Sequence, residues 1–191
     1  SLAFTERNLD ILLDSSLVYV RDEKLKALVA EMRSICKTAS DWKEVRSFIA
    51  REHGYDKYLG NCPMITNHLV VLMALLMGGD DFQKSISIAV SAGWDTDCNA
   101  GNIGTILGVA GSMKAVEDHY RKPINDMLIT SGVTGALNIV DLPTFARELA
   151  ALALQLEGRE VPEVWLDAMV SRGVHFDFTI PGATHGFRSS G

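Results

Sequence analysis

The N-terminal third of the chain has the hydrophobic periodicity of amphipathic helices. Over residues 22–37, apolar side chains recur at steps of three and four positions, and charged side chains fill the positions between them. This pattern predicts a surface helix with one buried face. Asp41 and Glu44 have the spacing of a capping box and predict the start of another such helix. An earlier helix is predicted over residues 6–17, with Thr5 as its N-cap.

The middle of the chain is apolar rather than amphipathic. Residues 62–79 contain no Asp, Glu, Lys or Arg, and the stretch Asn67–Met77 is apolar nearly all round. A helix without a polar face is buried on every side, so this stretch predicts the central helix of the core. Asp80 and Asp81 follow, and their carboxylates can cap the next helix, predicted over Phe82–Ala92.

A second uncharged helix is predicted to end near Met113. It carries four glycines at steps of three, four and three, so they lie on one face. Each interior glycine costs about 1 kcal/mol relative to alanine, so we expect a compensating cause in the close approach of a neighbouring helix backbone. Chance in a helix rich in small residues is the alternative. The four positions are Gly101, Gly104, Gly108 and Gly111.

The C-terminal third returns to the amphipathic pattern. Asp141 followed by Pro143 predicts the start of a helix. A short helix is predicted over residues 162–169. The alternation of apolar and polar residues over 174–180 predicts a single strand. The whole chain is therefore predicted to be all-α with a short extended tail.

Composition limits the classes of function. The 191 residues are 47% hydrophobic and 22% charged, too apolar for a disordered chain. The net charge of -6 argues against a nucleic-acid partner. The longest apolar run, Leu69–Met77, is far shorter than the roughly 20 residues that span a membrane. With three widely spaced cysteines and no visible signal peptide, we expect a cytoplasmic protein and no membrane partner.

The candidate chemistry lies in one acidic pair. Asp95 and Asp97 are the only charged residues between Lys84 and Lys114. Unpartnered carboxylates in apolar surroundings cost several kcal/mol each, and a hard divalent cation would offset that cost. The competing interpretation is that one aspartate caps the following helix while the other is solvated. The spacing does not fit a calcium EF-hand loop, which has Gly at its sixth and Glu at its twelfth position.

The surroundings of the acidic pair resemble those in the ADP-ribosylglycohydrolase family. Members carry a Gly-Gly/Trp-Asp-Thr-Asp-Thr/Cys-Asn segment followed by a helix of small residues. An apolar helix beginning near Asn67 and a Gly-Gly-Asp-Asp-Phe break at residues 78–82 also match, and the resemblance is most specific over residues 60–113. The matching segment of this chain is Gly93-Trp94-Asp95-Thr96-Asp97-Cys98-Asn99.

The resemblance implies a compact orthogonal helical bundle with a dinuclear Mg²⁺ or Mn²⁺ centre. It assigns Asp95 and Asp97 as metal ligands. Family members commonly have Thr as a further oxygen ligand where this chain has Cys98, and a thiol is a poor ligand for Mg²⁺. Metal identity and count therefore stay open at this point.

The resemblance also implies an incomplete domain. The family's early Thr-Asp-Asp segment, and a Gly-Asp-Ala-Leu-Gly segment further upstream, have no counterpart in the chain. We therefore expect residues 1–173 to be the C-terminal portion of the helical domain and residues 174–191 to be an extended tail. The missing N-terminal portion would then be a partner required for firm metal binding and turnover.

The function that the resemblance implies is a metal-dependent hydrolase. It would remove ADP-ribose from a modified protein side chain or a small acceptor, with Gly93, Trp94 and Asn99 as substrate contacts. No catalytic acid or base is assigned. Stacking on a base or ribose and packing between helices are equal alternatives for Trp94, and Asn99 is suited to substrate contact or to helix capping. The alternative function is a non-catalytic helical domain with a degenerate metal site.

Overall fold

The computed structural model describes residues 1–133, 138–163, 165 and 166. Within these residues it is mostly helical, as predicted, and the strands form one two-stranded sheet. The chain divides into two units, residues 1–117 and 118–191. The first holds α1 (Leu9–Leu17), α2 (Glu23–Thr38), α3 (Trp42–His53), α4 (Met64–Gly78), α5 (Phe82–Ala92) and α6 (Thr96–Gly111); the second holds α7 (Asp118–Arg121), β1 (Met127–Ile129), β2 (Ile139–Asp141) and α8 (Leu142–Leu156).

Helix α4 is the centre of the first unit. Leu69, Val70 and Met73 have no exposed surface, and buried residues occur on every face of the helix. Helices α2, α3, α5 and α6 all contact α4. These contacts confirm the prediction of a central helix over Asn67–Met77. A helix that is apolar all round is stable in water only when other helices surround it.

Aspartates start several of these helices. Asp22 accepts hydrogen bonds from the backbone N–H groups of Lys24 and Leu25. Asp81 accepts one from Lys84, at 2.8 Å, so the capping prediction for α5 is confirmed. Each bond satisfies a backbone N–H that has no partner within the first turn, and a carboxylate there also interacts favourably with the helix dipole.

The predicted start of the first helix is wrong by three residues. The N-cap is Asn8, whose side-chain oxygen accepts from the backbone N–H groups of Asp10 and Ile11. The Thr5 hydroxyl instead donates to the carbonyl oxygen of Leu2, in a short 3-10 turn. Both residues are good N-caps by type, and the local turn decides between them.

The expected role of the four glycines in α6 is also wrong. A Cβ at Gly104 or Gly108 would meet side chains at ordinary van der Waals distances, and a Cβ at Gly101 would have no atom within 4 Å among the described residues. A Cβ at Gly111 would meet the side chain of Ala115. Among the described residues, the atoms nearest this face belong to side chains rather than to a neighbouring helix backbone, so the alternative of a helix rich in small residues stands.

The second unit begins its described part with α7 and a hairpin that the sequence pattern did not predict. Met127 pairs with Asp141 and Ile129 with Ile139, antiparallel. Asp141 then caps α8, and its carboxylate accepts from the backbone N–H of Thr144 at 3.0 Å, as the predicted helix start requires. The predicted tail strand over 174–180 lies outside the described residues, and so does half of the predicted helix over 162–169.

No helix in the described part of the chain combines the length and apolar character needed to cross a bilayer.

Candidate functional site

The acidic pair lies at the turn between α5 and α6. Gly93 has φ +84° and Trp94 has φ +59°, so two successive residues are in the left-handed region. Glycine adopts this conformation freely, but for a bulky residue it stores strain of about 1–3 kcal/mol that the surroundings must offset. These two residues with positive φ form the turn that brings the chain from the end of α5 to Asp95, the N-cap residue of α6.

Three potential ligand atoms converge at the start of α6. One carboxylate oxygen of Asp95, one of Asp97 and the Sγ of Cys98 all lie within 4.8 Å of one another. Asp95 is partly buried, and the other two residues are exposed. Although Asp95 occupies the N-cap position, its side chain makes no capping hydrogen bond. For Asp95, the capping interpretation is therefore not what the structure shows.

The acidic pair influences the neighbouring thiol. A hydrogen bond to the Asp95 carboxylate, followed by the negative charge of Asp95, raises the pKa of Cys98 above its ordinary value. Both effects favour the protonated thiol over a thiolate. Cys62, on the loop before α4, also interacts electrostatically with Cys98. As a protonated thiol, Cys98 is an uncharged neighbour of the two carboxylates.

Trp94 is held by an arginine and a tyrosine. The Arg46 guanidinium carbon lies 4.3 Å from the centre of the Trp94 ring, a cation–π contact. The Tyr55 ring stacks on Trp94 with 5.9 Å between centroids and 22° between planes. Arg46 also donates from Nε to the carbonyl oxygen of Ala92, at 3.0 Å. These contacts are those expected if Trp94 packs between helices. The alternative role of Trp94, contact with substrate, stays a prediction.

Asn99 is buried and bonded inside the protein. Only 1% of its surface is exposed, and its Nδ2 donates to Oδ1 of Asn67 on α4, at 3.2 Å. The same oxygen accepts from the Tyr55 hydroxyl at 3.0 Å. Burial raises the pKa of Tyr55, so this hydroxyl stays protonated and remains a donor. Asn99 thus ties the first turn of α6 to the central helix.

The sequence matches the ADP-ribosylglycohydrolase family over residues 3–169. The chain belongs to this family. The match extends well beyond the segment 60–113 that carries the resemblance. No curated protein and no solved structure is significantly similar to the chain.

The ADP-ribosylglycohydrolase family typically uses divalent metals, and the donor set of this chain fits such an ion in part. The two carboxylates are the hard oxygen ligands that Mg²⁺ and Mn²⁺ prefer. The third donor, Cys98, is soft, and it departs from the oxygen that suits Mg²⁺. Three donors are also fewer than the six that Mg²⁺ coordinates, so waters or other protein groups would have to complete the shell.

Three residues that contact Trp94 or Asn99 were not identified from the sequence as part of the site: Arg46, Tyr55 and Asn67. Arg46 and Ala92 are 46 positions apart, and Asn67 and Asn99 are 32 apart. Neither separation has a periodic signal, because helix packing alone brings the partners together. The one available hint was Asn67 itself, a polar residue at the start of an apolar helix.

Proposed function

We propose that this ADP-ribosylglycohydrolase family member is a metal-dependent hydrolase that removes ADP-ribose from a modified protein side chain or a small acceptor. The family match over residues 3–169 supports the type of hydrolase. The observation that carries the metal dependence is the convergence of Asp95, Asp97 and Cys98 within 4.8 Å at the start of α6. Two carboxylates within 4.8 Å of each other repel, and a divalent cation would offset that repulsion.

In this proposal Asp95 and Asp97 hold a Mg²⁺ or Mn²⁺ ion, and a second ion completes the centre in the intact protein. A bound divalent ion supplies Lewis-acid chemistry, since it orients substrate oxygens and lowers the pKa of bound water. The two aspartates are ligands, so they do not act as the acid and base that flank the bond in ordinary glycosidases. Cys98 contributes weakly to binding a hard ion.

We also propose that the turn before α6 contacts the ribose end of the substrate. Gly93 leaves the backbone open to close approach because it has no side chain, and Trp94 offers an aromatic surface beside the ligand group. The buried Asn99 acts through its bond to Asn67 rather than by touching substrate. The N-terminus of α6 adds a positive potential that favours an anionic group.

The test is release of ADP-ribose by the full polypeptide, with this 191-residue chain assayed beside it. Substrates carry ADP-ribose on arginine, on serine, on a nucleic-acid end or on a small molecule, with Mg²⁺ or Mn²⁺ present. We expect turnover of at least one substrate, its loss in EDTA, and a loss of about 10²-fold or more in Asp95→Asn and Asp97→Asn.

Asp80→Asn is the matched control, because it removes an exposed carboxylate from the preceding helix break. We expect this variant to retain full turnover. No release from any of these acceptors, with metal demonstrably bound, would refute the hydrolase. Equal loss in the control variant would refute the specific role of the acidic pair.

One observation favours a second candidate, a non-catalytic domain of the same fold. Cys98 places a thiol in the ligand group, where the family commonly has an oxygen. Calorimetry of the full polypeptide with Mn²⁺ separates the candidates, because a degenerate site binds no ion. The isolated 191-residue chain is expected to bind Mn²⁺ weakly or not at all, and a tight two-ion site in it would contradict the expected need for an N-terminal portion.

A further inference from the structure

We propose that Arg46 is a positioning residue for the metal-ligand group. It acts by holding the left-handed turn at Gly93 and Trp94, and so fixes where Asp95 and Asp97 point. The inference rests on the proposed function in one respect, the role of the two aspartates as ligands. The contacts that hold the turn are independent of any metal.

The turn is poorly stabilised by its own residues. Trp94 is a bulky residue at φ +59°, and it persists there only because its surroundings determine it. Asp95, the next residue, makes no side-chain cap hydrogen bond to α6. The local backbone contributes a bond from the Thr96 N–H to the Trp94 carbonyl, at 3.1 Å. The conformation that presents the carboxylates therefore depends on contacts from other helices.

Arg46 contacts the turn on both sides of Gly93. Its Nε donates to the carbonyl oxygen of Ala92, at the end of α5, at 3.0 Å. Its guanidinium carbon lies 4.3 Å from the centre of the Trp94 ring. Its Nη2 lies 3.9 Å from the point that a Cβ on Gly93 would occupy. One planar cation thus contacts the residues on both sides of Gly93, immediately before Asp95.

The helix that carries Arg46, α3, is packed into the main core. Val45 and Ile49 on α3 have no exposed surface and belong to the main core. Tyr55, just after α3, stacks on the same Trp94 ring and bonds to Asn67 on the central helix. The turn is therefore held against a helix that is packed into the main core. This is what a support for metal ligands requires, since outer partners orient the ligands.

The test compares Arg46→Gln with two other variants. Arg46→Lys keeps the charge over the ring but loses the planar guanidinium and its Nε donor. Arg51→Gln is the matched control, because it removes an arginine on the same helix that lies over Phe48, with 5.8 Å from its guanidinium carbon to the ring centre. Each variant is first checked by thermal unfolding, and all later measurements are made well below its midpoint.

The first readout is amide hydrogen exchange of the peptide covering residues 93–99 in the metal-free chain. We expect faster exchange in Arg46→Gln, an intermediate rate in Arg46→Lys, and the wild-type rate in Arg51→Gln. A merely destabilising substitution would instead accelerate exchange throughout the core. Wild-type exchange of this peptide in folded Arg46→Gln would overturn the proposal.

The second readout is the affinity for Mn²⁺, measured by calorimetry on the full polypeptide. Loss of an outer partner typically weakens metal affinity about 10- to 100-fold, and we expect a weakening in that range for Arg46→Gln and none for Arg51→Gln. If the wild type binds Mn²⁺ and Arg46→Gln binds it equally well, the inference fails and the proposed function survives. If the wild type binds no Mn²⁺, both fail.

Discussion

At Asn67, one carboxamide oxygen accepts two hydrogen bonds from different elements. The donors are the Tyr55 hydroxyl, at 3.0 Å, and the Asn99 Nδ2, at 3.2 Å. Asn99 is 1% exposed and Asn67 is 9% exposed, so water has little access to replace a lost bond. A single buried side chain thus connects the segment after α3, the central helix and the helix that begins with the acidic pair.

We expect Asn67→Ala to lower the free energy of unfolding by about 1–3 kcal/mol, because it leaves the buried Asn99 amide without its acceptor. Tyr55→Phe removes one donor and leaves the Asn67–Asn99 bond intact, so it should cost only about 1 kcal/mol. Urea unfolding measures both. Equal losses in the two variants would contradict the proposed difference.

At the residue scale, the sequence singled out the residues that converge at the start of α6, but not the residues that surround them. Asp95 and Asp97 stood out because an uncharged stretch isolates them, and Cys98 because it departs from the family pattern. Arg46 gave no signal, since an arginine on an amphipathic helix is ordinary and its partner Trp94 lies on another element. The left-handed φ of Trp94 was equally hidden, because its residue type argues against that conformation.

At the element scale, two helix backbones come close between α4 and α5 at Gly78, rather than along the glycine face of α6. A Cβ on Gly78 would lie 2.8 Å from the Cα of Ser85, closer than real Cβ contacts come. Gly78 therefore carries the close-approach role that the spacing of the α6 glycines predicted for them. Spacing places residues on one face, but it does not say what packs there.

Gly78→Ala should lower the free energy of unfolding by about 1–3 kcal/mol, since the added methyl group forces the backbones of two helices apart. Gly101→Ala is the matched control within α6, where an added Cβ meets no atom within 4 Å among the described residues. It should raise stability by roughly 0.5–1 kcal/mol through helix propensity. Thermal unfolding of the two variants distinguishes these opposite signs.

The other elements show where periodicity succeeds and fails. Helices α2 to α5 were predicted because each has a long apolar pattern with an acidic residue or turn at its start. The hairpin of β1 and β2 was missed because each strand has only three residues, too few for an alternation to be visible. The start of α1 was misplaced because Thr5 and Asn8 are both suitable caps and only the geometry chooses between them.

At the scale of the whole molecule, the partly buried His68 on α4 is expected to make stability depend on pH. Burial lowers the pKa of His68, on α4, below its ordinary value of 6.5. The folded state therefore binds fewer protons than the unfolded state as the pH falls below 6.5. The stabilisation from this residue is complete above pH 6.5 and decreases as the pH falls through 6.5 toward the lower folded-state pKa.

We expect the free energy of unfolding to decrease between pH 7 and pH 5, and His68→Gln to make that decrease smaller. Urea unfolding at several pH values measures both slopes. A wild-type slope in His68→Gln would mean that other groups cause the pH dependence.

An anomalous difference map at the manganese absorption edge, from crystals of the full polypeptide soaked in Mn²⁺, shows directly whether Asp95 and Asp97 bind a metal ion. We expect a strong peak at coordination distance from carboxylate oxygens of both Asp95 and Asp97, and its disappearance in the double variant Asp95→Asn, Asp97→Asn. A map in which both carboxylates point away from every manganese peak would show that Asp95 and Asp97 are not metal ligands.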